Sequence, residues 1–250
     1  MSKDIPFNLY SKYYDLLYKD KNYFEEAEYI NDFLVKNNLL KSKILELGSG
    51  TGIHANWLSK KGHKILGIEQ SKDMVSIAKH SKSFTSKVGD IRKIKTPTDF
   101  DAVISIFHVM SYMTTDHDLN LVFKNASNAL KKGGIFLFDF WYKPAVRHQK
   151  LELRIKRMKS KNLEVLRIAE PKNNSKKSLA EIKFTIISKD LETNKIHLFD
   201  EVHRMRYLNL NEIDLFAKKN KLRRINAEEF LTKKSPSIKT WGVCVALQKI

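Results

Sequence analysis

The chain has 250 residues, 42% hydrophobic and 30% charged, enough for one large globular domain or a domain with a cap. No apolar run approaches the roughly 18 to 20 residues that span a bilayer, and Met1-Ser2-Lys3-Asp4 leads into no apolar signal segment. The single Cys244 excludes an internal disulfide and a cysteine metal cluster, so a cytoplasmic location and no metal site are expected.

The net charge of +18 is uneven. Residues 1–141 carry 20 basic and 16 acidic side chains, while residues 142–250 carry 26 basic and 12 acidic. The second part therefore presents a field that attracts an anionic partner, either a nucleotide-linked small molecule or a nucleic acid. A solvated basic surface explains the same numbers, because lysine dominates and recognises phosphate less specifically than arginine.

From Phe7 to Lys36 the chain is rich in tyrosine, with Tyr10, Tyr13, Tyr14, Tyr18, Tyr23 and Tyr29. Phe24–Lys36 predicts a helix, since Ala27, Ile30, Phe33 and Leu34 recur at helical spacing. Lys43-Ile44-Leu45-Glu46-Leu47 then reads as a strand entering Gly48-Ser49-Gly50-Thr51-Gly52, with a helix over Ile53–Lys61. A strand, a glycine turn and a helix N-terminus hold nucleotide-like ligands, because glycine admits close approach and the first helical N–H groups are free. The spacing is not G-x-G-x-x-G, since Ile53 occupies the third glycine position, and no phosphate-cradling G-K-[ST] follows. Glu46 would repel a pyrophosphate and suits a ligand with a positive group. The strand Lys64–Glu69 ends in an acid 21 residues after Gly48, the separation expected of a carboxylate that binds ribose hydroxyls.

Ser71 is a natural cap for a helix over Lys72–His80, with Met74, Ile77 and Ala78 inward. Val88-Gly89-Asp90-Ile91 ends a third strand. Phe100–Phe107 is the near-continuous apolar run of a strand buried on both faces, and it leads to His108-Val109-Met110-Ser111-Tyr112 on the ligand side of a parallel sheet. A helix over Asp118–Leu130, a turn at Lys131–Gly134 and a strand over Ile135–Trp141 follow. From Leu151 the pattern changes to half-exposed alternation, at Leu151–Met158, Ala180–Ser188 and Lys195–Tyr207, with Pro171–Ser175 read as a turn or loop. A helix over Asn209–Asn220 and a closing strand over Trp241–Leu247 complete the chain.

Glu46-Leu47-Gly48-Ser49-Gly50-Thr51-Gly52, with the acid-tipped second strand, closely resembles the first two motifs of class I S-adenosylmethionine-dependent methyltransferases. The resemblance implies an α/β fold: a Rossmann-like, doubly wound, mostly parallel seven-stranded sheet with a small antiparallel cap after strand five. Residues 1–141 and 209–250 would form the core, with 1–36 as a helical lid, and 142–208 the cap. It implies S-adenosyl-L-methionine as cofactor, contacted by Tyr23, Glu46, Gly48, Ser49, Gly50, Glu69, Gln70, Met74, Asp90, Ile91 and Phe107.

The tyrosine-rich start, the stretch Phe107–Leu119, the aromatics Phe138–Pro144 and the cap ending Glu201-Val202-His203-Arg204 look like sugar N-methyltransferases acting on nucleotide-linked amino sugars. On that likeness Tyr14, Tyr18, Asp139, Trp141 and Lys239 would meet the substrate, and His108 and Tyr112 would orient or deprotonate the amine. Such enzymes often carry histidine where this chain has Tyr112, and an arginine near the C-terminus where the nearest cation is Lys239. The [DNS]-P-P-[YFW] element of nucleic-acid amino methylation is absent. Two other readings stand beside this one: an RNA or protein methyltransferase anchored by the basic C-terminal part, and a non-catalytic cofactor-binding partner subunit. The oligomeric state is open, a homodimer included.

Overall fold

Strand β1 (Lys43–Leu47) lies inside a seven-stranded sheet, described here from a computed structural model covering residues 9–250. Phe7 and the rest of residues 1–8 of the expected lid lie outside the described residues. β1 pairs in parallel with β2 (Lys64–Glu69) on one side and β4 (Phe100–Ser105) on the other. With β3 (Phe84–Val88), β5 (Leu130–Trp141), β10 (Leu222–Glu229) and β11 (Gly242–Lys249), the order is β10-β11-β5-β4-β1-β2-β3. β11 runs antiparallel to both of its neighbours, β10 and β5.

Alternate residues of the central strands feed two cores, as period-two side-chain placement requires. Leu45, Leu47, Val103, Phe136 and Phe138 pack under α5 (Asp116–Ala129) and α7 (Leu210–Lys219), with Phe123 and Ile213 among their neighbours. Ile44, Ala102, Ile104, Ile135 and Leu137 pack under α2 (Tyr23–Lys36) and α3 (Ile53–Lys60), against Ile30, Leu34, Ala55 and Leu58. The sheet is therefore covered on both faces and its strand ends are left to build a site.

Four of the helices start where a side chain takes a free N–H. Asn22 caps α2, Thr115 caps α5, and Ser71 caps α4 (Lys72–Ile77). Asn209 and Glu212 form a reciprocal capping box at the start of α7. Helix α4 is shorter than the predicted Lys72–His80: Ala78 is extended, and Ile77, expected inward, is 50% exposed.

The α/β sheet with an inserted antiparallel sheet is as expected. The second sheet has four strands, β6 (Arg154–Lys159), β7 (Leu163–Asn174), β8 (Leu179–Asp190) and β9 (Ile196–Arg206), in that order. Pro171–Asn174, expected as turn or loop, continue β7, with Pro171 opposite Ile182. The reason is local: β6 stops opposite Ala169, so β7 has a free edge beyond it, where a proline lacking its N–H is tolerated. The expected turn at Lys131–Gly134 is a bulge within β5, where Leu130 faces Phe100 and Ile135 faces Ala102.

Helix α1 (Ser11–Leu17) lies against this second sheet, with Tyr10 and Leu17 packed on Val165 and Ile186. The Tyr10 N–H donates to Glu201 Oε2 (3.3 Å) and Ser188 Oγ donates to Tyr13 Oη (2.8 Å). Thr51 Oγ1, in the glycine turn, donates to Asp15 Oδ1 (2.8 Å). One short helix thus ties the antiparallel sheet to the turn after β1.

Candidate active site

The glycine turn after β1 closes over the tip of β2. Gly48 has φ +75° and Gly50 φ +53°, a left-handed backbone that side-chain-bearing residues rarely adopt. The Gly48 N–H donates to Ile68 O (2.8 Å), and the Gly50 N–H donates to Glu69 Oε2 (3.0 Å). Glu69 Oε1 accepts from the Ser71 N–H (2.8 Å). Burial pushes the Glu69 carboxyl up and these backbone donors pull against it, leaving it raised.

A cavity of about 510 Å³ opens here. It is lined by Tyr14, Tyr23, Gly48, Ser49, Gly50, Glu69, Gln70, Met74, Asp90, Ile91, Phe107 and Tyr112, among others. The structure thus gathers ten of the eleven predicted cofactor residues around one space. Asp90 stands there with its carboxylate already gripped by Arg92 (Nε to Oδ1 2.8 Å, Nη2 to Oδ2 2.7 Å), whose fork holds its pKa below the ordinary value.

Glu46 is the eleventh, and it does not line the cavity. It is 2% exposed in mid-strand, and its Oε2 has no hydrogen-bond partner. Burial, and then the charge of Glu69, push this carboxyl up to about 8. A sealed acid with a bare oxygen is unusual, since buried polar atoms are nearly always bonded.

A second cavity of about 320 Å³ lies between the sheet ends and the antiparallel sheet. Tyr14, Phe107 and Tyr112 line both spaces and form the wall between them. Phe107 and His108 both have positive φ (+69° and +63°), which turns the chain sharply after β4 and presents both rings at the junction. Tyr18 meets Phe107 edge-on at 5.1 Å and Tyr14 at 4.7 Å. Tyr18, His108 and Trp141 line the second cavity, with Trp241 beside Trp141 at 5.3 Å. Lys239 lines neither space; its carbonyl accepts from the Gln149 side chain (3.0 Å).

Asp139 was expected to touch substrate, yet it is fully buried on β5, underneath His108. Its Oδ1 accepts the His108 backbone N–H (2.9 Å), and its Oδ2 lies 2.7 Å from His108 Nδ1. Burial pushes this carboxyl up, but the facing imidazole, the backbone N–H and Lys21 outweigh it, so the acid stays below its ordinary value. An ionised Asp139 keeps the proton on Nδ1 and leaves Nε2 with a lone pair.

Tyr112 is held differently. Its hydroxyl lies 2.7 Å from His203 Nδ1, and His203 Nε2 lies 2.9 Å from Glu201 Oε1. Burial and the neighbouring tyrosines push the Tyr112 phenol well above its ordinary value, so it remains a neutral hydroxyl. His203 and Glu201 share one face of β9, two residues apart, a signal available from strand alternation. Two further residues had no sequence signal. Lys21 is half-buried over the rings of Tyr23 (4.2 Å) and Phe107 (4.3 Å) and pairs with Glu26. Arg167 lines the second cavity from β7.

Residues 44–134 match the profile of the methyltransferase domain. Over those residues the chain is similar to that domain. It is 31% identical over 134 residues to dTDP-3-amino-3,4,6-trideoxy-alpha-D-glucopyranose N,N-dimethyltransferase of Streptomyces venezuelae, across 52% of this chain and 56% of that protein. The chain thus spans about half the length of the curated relatives it matches. Two solved structures share the fold throughout. The sugar N-methyltransferase KedS8 of Streptoalloteichus superposes with TM-score 0.82 at 15% identity, covering 98% of this chain and 95% of that one. The S-adenosylmethionine-bound amino pentose methyltransferase CalS10 of Micromonospora echinaspora superposes with TM-score 0.76 at 17% identity, covering all of both chains.

S-adenosylmethionine is the cofactor of this domain, and the residues present fit it. Glu69 faces the first cavity with lone pairs free for ribose hydroxyls. Met74 and Ile91 offer apolar surface for a purine. Among the described residues no helix is long and apolar enough to cross a membrane, and no cluster of potential metal ligands is present.

Proposed function

We propose that the protein transfers a methyl group from S-adenosylmethionine to the amino group of a small molecule, a nucleotide-linked amino sugar. The observation that carries this reading is the shared wall: two cavities meet at Tyr14, Phe107 and Tyr112, with a histidine poised on the acceptor side. Bound S-adenosylmethionine supplies an electrophilic methyl group on a sulfonium. What remains for the protein is alignment, exclusion of water and a neutral amine.

The roles follow from the geometry. His108 Nε2, freed by the Asp139 contact at Nδ1, accepts a proton from the acceptor nitrogen. Tyr112, held towards His203, stands at the wall beside the amine and orients it. Tyr14, Tyr18, Trp141 and Trp241 supply the flat apolar surfaces on which a deoxysugar ring packs. In this reading residues 142–208 form the acceptor cap and the tyrosine-rich segment before α2 closes over both spaces. The acceptor cavity is at the small end of ligand sites, which run from about 300 to 1,000 Å³, and it lies beneath a sheet and a helix. That enclosure favours a small acceptor over RNA or a folded protein.

The test is direct. Purified protein is incubated with S-adenosylmethionine and a panel of nucleotide-linked amino sugars, and products are read by mass spectrometry. A mass gain of one or two methyl groups on a panel member is expected. Tight cofactor binding with no product across the panel would remove the amino-sugar assignment; no cofactor binding would remove the enzyme class.

A further inference from the structure

The acceptor cavity contains a cation, Arg167, that makes no ion pair among the described residues. Arg167 sits in the middle of β7 and half-buried, lining that cavity. Its Nη1 donates to Tyr10 Oη (3.0 Å) and Tyr18 Oη (3.1 Å). Its guanidinium carbon stands 5.2 Å from the Phe184 ring centre and 5.7 Å from that of Tyr18. The Nε atom is buried and has no hydrogen-bond partner. Directly across the ladder is Lys156, whose charge is matched by Asp20 at 2.6 Å. Like charges opposite one another destabilise a sheet, and Asp20 pairs with Lys156 rather than with Arg167.

The geometry of the free edge is specific. Nη1 is engaged by two phenols and Nε has no partner among the described residues, so the side left over is Nε–Nη2. That side is a two-pronged donor matched to the two oxygens of a carboxylate or phosphate. The same edge is used twice elsewhere in this chain. Arg224 grips Asp214 through Nε and Nη2, both at 2.7 Å, and Arg92 grips Asp90 through the same pair of atoms.

We infer that Arg167 is the anion-recognition residue of the acceptor cavity, its Nε–Nη2 edge taking a two-oxygen anionic group carried by the acceptor. This rests on the acceptor role given to the second cavity above, and it narrows the acceptor to anionic molecules. Tyr18 touches both Arg167 and Phe107, so the anion lies within a ring or two of the wall where the methyl group passes. Two sources present that chemistry: a carboxylate on the amino-bearing ring itself, and the phosphate of a nucleotide-linked sugar.

The experiment uses the full chain saturated with S-adenosylhomocysteine, with binding read by calorimetry. Thymidine 5′-diphosphate, glucuronate and neutral methyl glucoside are titrated into wild type, Arg167→Lys and Arg167→Gln. One of the two anions should bind wild type, and its identity names the source. Arg167→Gln should weaken that binding by at least about tenfold, the usual scale of a charge-assisted pair, with Arg167→Lys between the two. S-adenosylhomocysteine affinity should be unchanged in both variants, which shows that they fold. Equal anion binding by wild type and Arg167→Gln overturns the assignment, as does failure of wild type to bind either anion while it binds S-adenosylhomocysteine. Loss of S-adenosylhomocysteine binding in wild type strikes instead at the methyltransferase reading itself.

Discussion

Replacing Glu46 with glutamine isolates the cost of one sealed carboxyl. Glu46 is 2% exposed, its Oε2 is unbonded, and burial followed by the charge of Glu69 moves its pKa from 4.5 to about 8. An acid raised by folding holds its proton more tightly in the native chain than in the unfolded one. Its contribution to stability is therefore intact below pH 4.5, declines as pH rises, and is fully lost above about 8. At ~1.36 kcal/mol per tenfold change in proton affinity, the whole interval amounts to about 5 kcal/mol. Glutamine has the same shape and no proton to lose. Glu46→Gln should therefore match wild type near pH 5 and exceed it by several kcal/mol at pH 8.5, as read by urea unfolding of ligand-free protein. A ligand ammonium beside Glu46 would draw the proton off, so wild type should release close to one proton on binding S-adenosylhomocysteine at pH 6.5. Calorimetry in buffers of different ionisation enthalpy counts that proton, and the variant should show none from this site. Parallel stability curves for the two proteins from pH 5 to 8.5 would refute the reasoning.

Asp139→Asn keeps an oxygen for the His108 backbone N–H but turns an amide towards Nδ1, which moves the imidazole proton to Nε2. Methyl transfer should fall by roughly 100-fold or more while the melting temperature changes little; an unchanged rate would remove His108 as the base. Gly52→Ala and Gly50→Ala should separate stability from binding. A methyl group on Gly52 would stand 2.3 Å from the Phe84 ring, at φ +76°, whereas one on Gly50 meets nothing nearer than Met74 Sδ at 3.9 Å. The first should lose about 3 kcal/mol or more in denaturant unfolding, and the second about 1–2 kcal/mol, with weaker cofactor binding because it lines the cavity. Tyr112→Phe leaves the buried His203 Nδ1 without its 2.7 Å partner; it should cost about 1–3 kcal/mol of stability and slow turnover, and calorimetric unfolding with a rate assay checks both.

The sheet was legible in the sequence because its strands are buried on both faces and read as apolar runs, and because a left-handed turn demands its glycines. β10 was not: it is an edge strand whose Arg223, Arg224, Glu228 and Glu229 carry charge, and of its residues only Leu222 is fully buried. β7 was not, since only Val165 and Ala169 along its twelve residues are buried and the Pro171–Ser175 turn signal masks where it ends. At the site, residue types announced the cofactor cavity, where spacing along one turn matters. The acceptor cavity is made by long-range contacts, Tyr112 to His203 and Tyr10 to Arg167, separated by 91 and 157 residues. No local pattern encodes such a meeting.

Glu46 and Asp139 show why residue type alone cannot give a role. Both are carboxyls on central strands of one sheet, and both are sealed from solvent. Burial raises each, yet they end on opposite sides of their ordinary range. The difference is the company each keeps. Asp139 has an imidazole and a backbone N–H of its own chain, so its charge is spent inside the protein, on setting His108. Glu46 has another carboxyl for a neighbour and a bare oxygen, so the fold holds it towards its protonated form. A buried acid that the fold has matched keeps its charge, and one set beside another carboxyl keeps its proton.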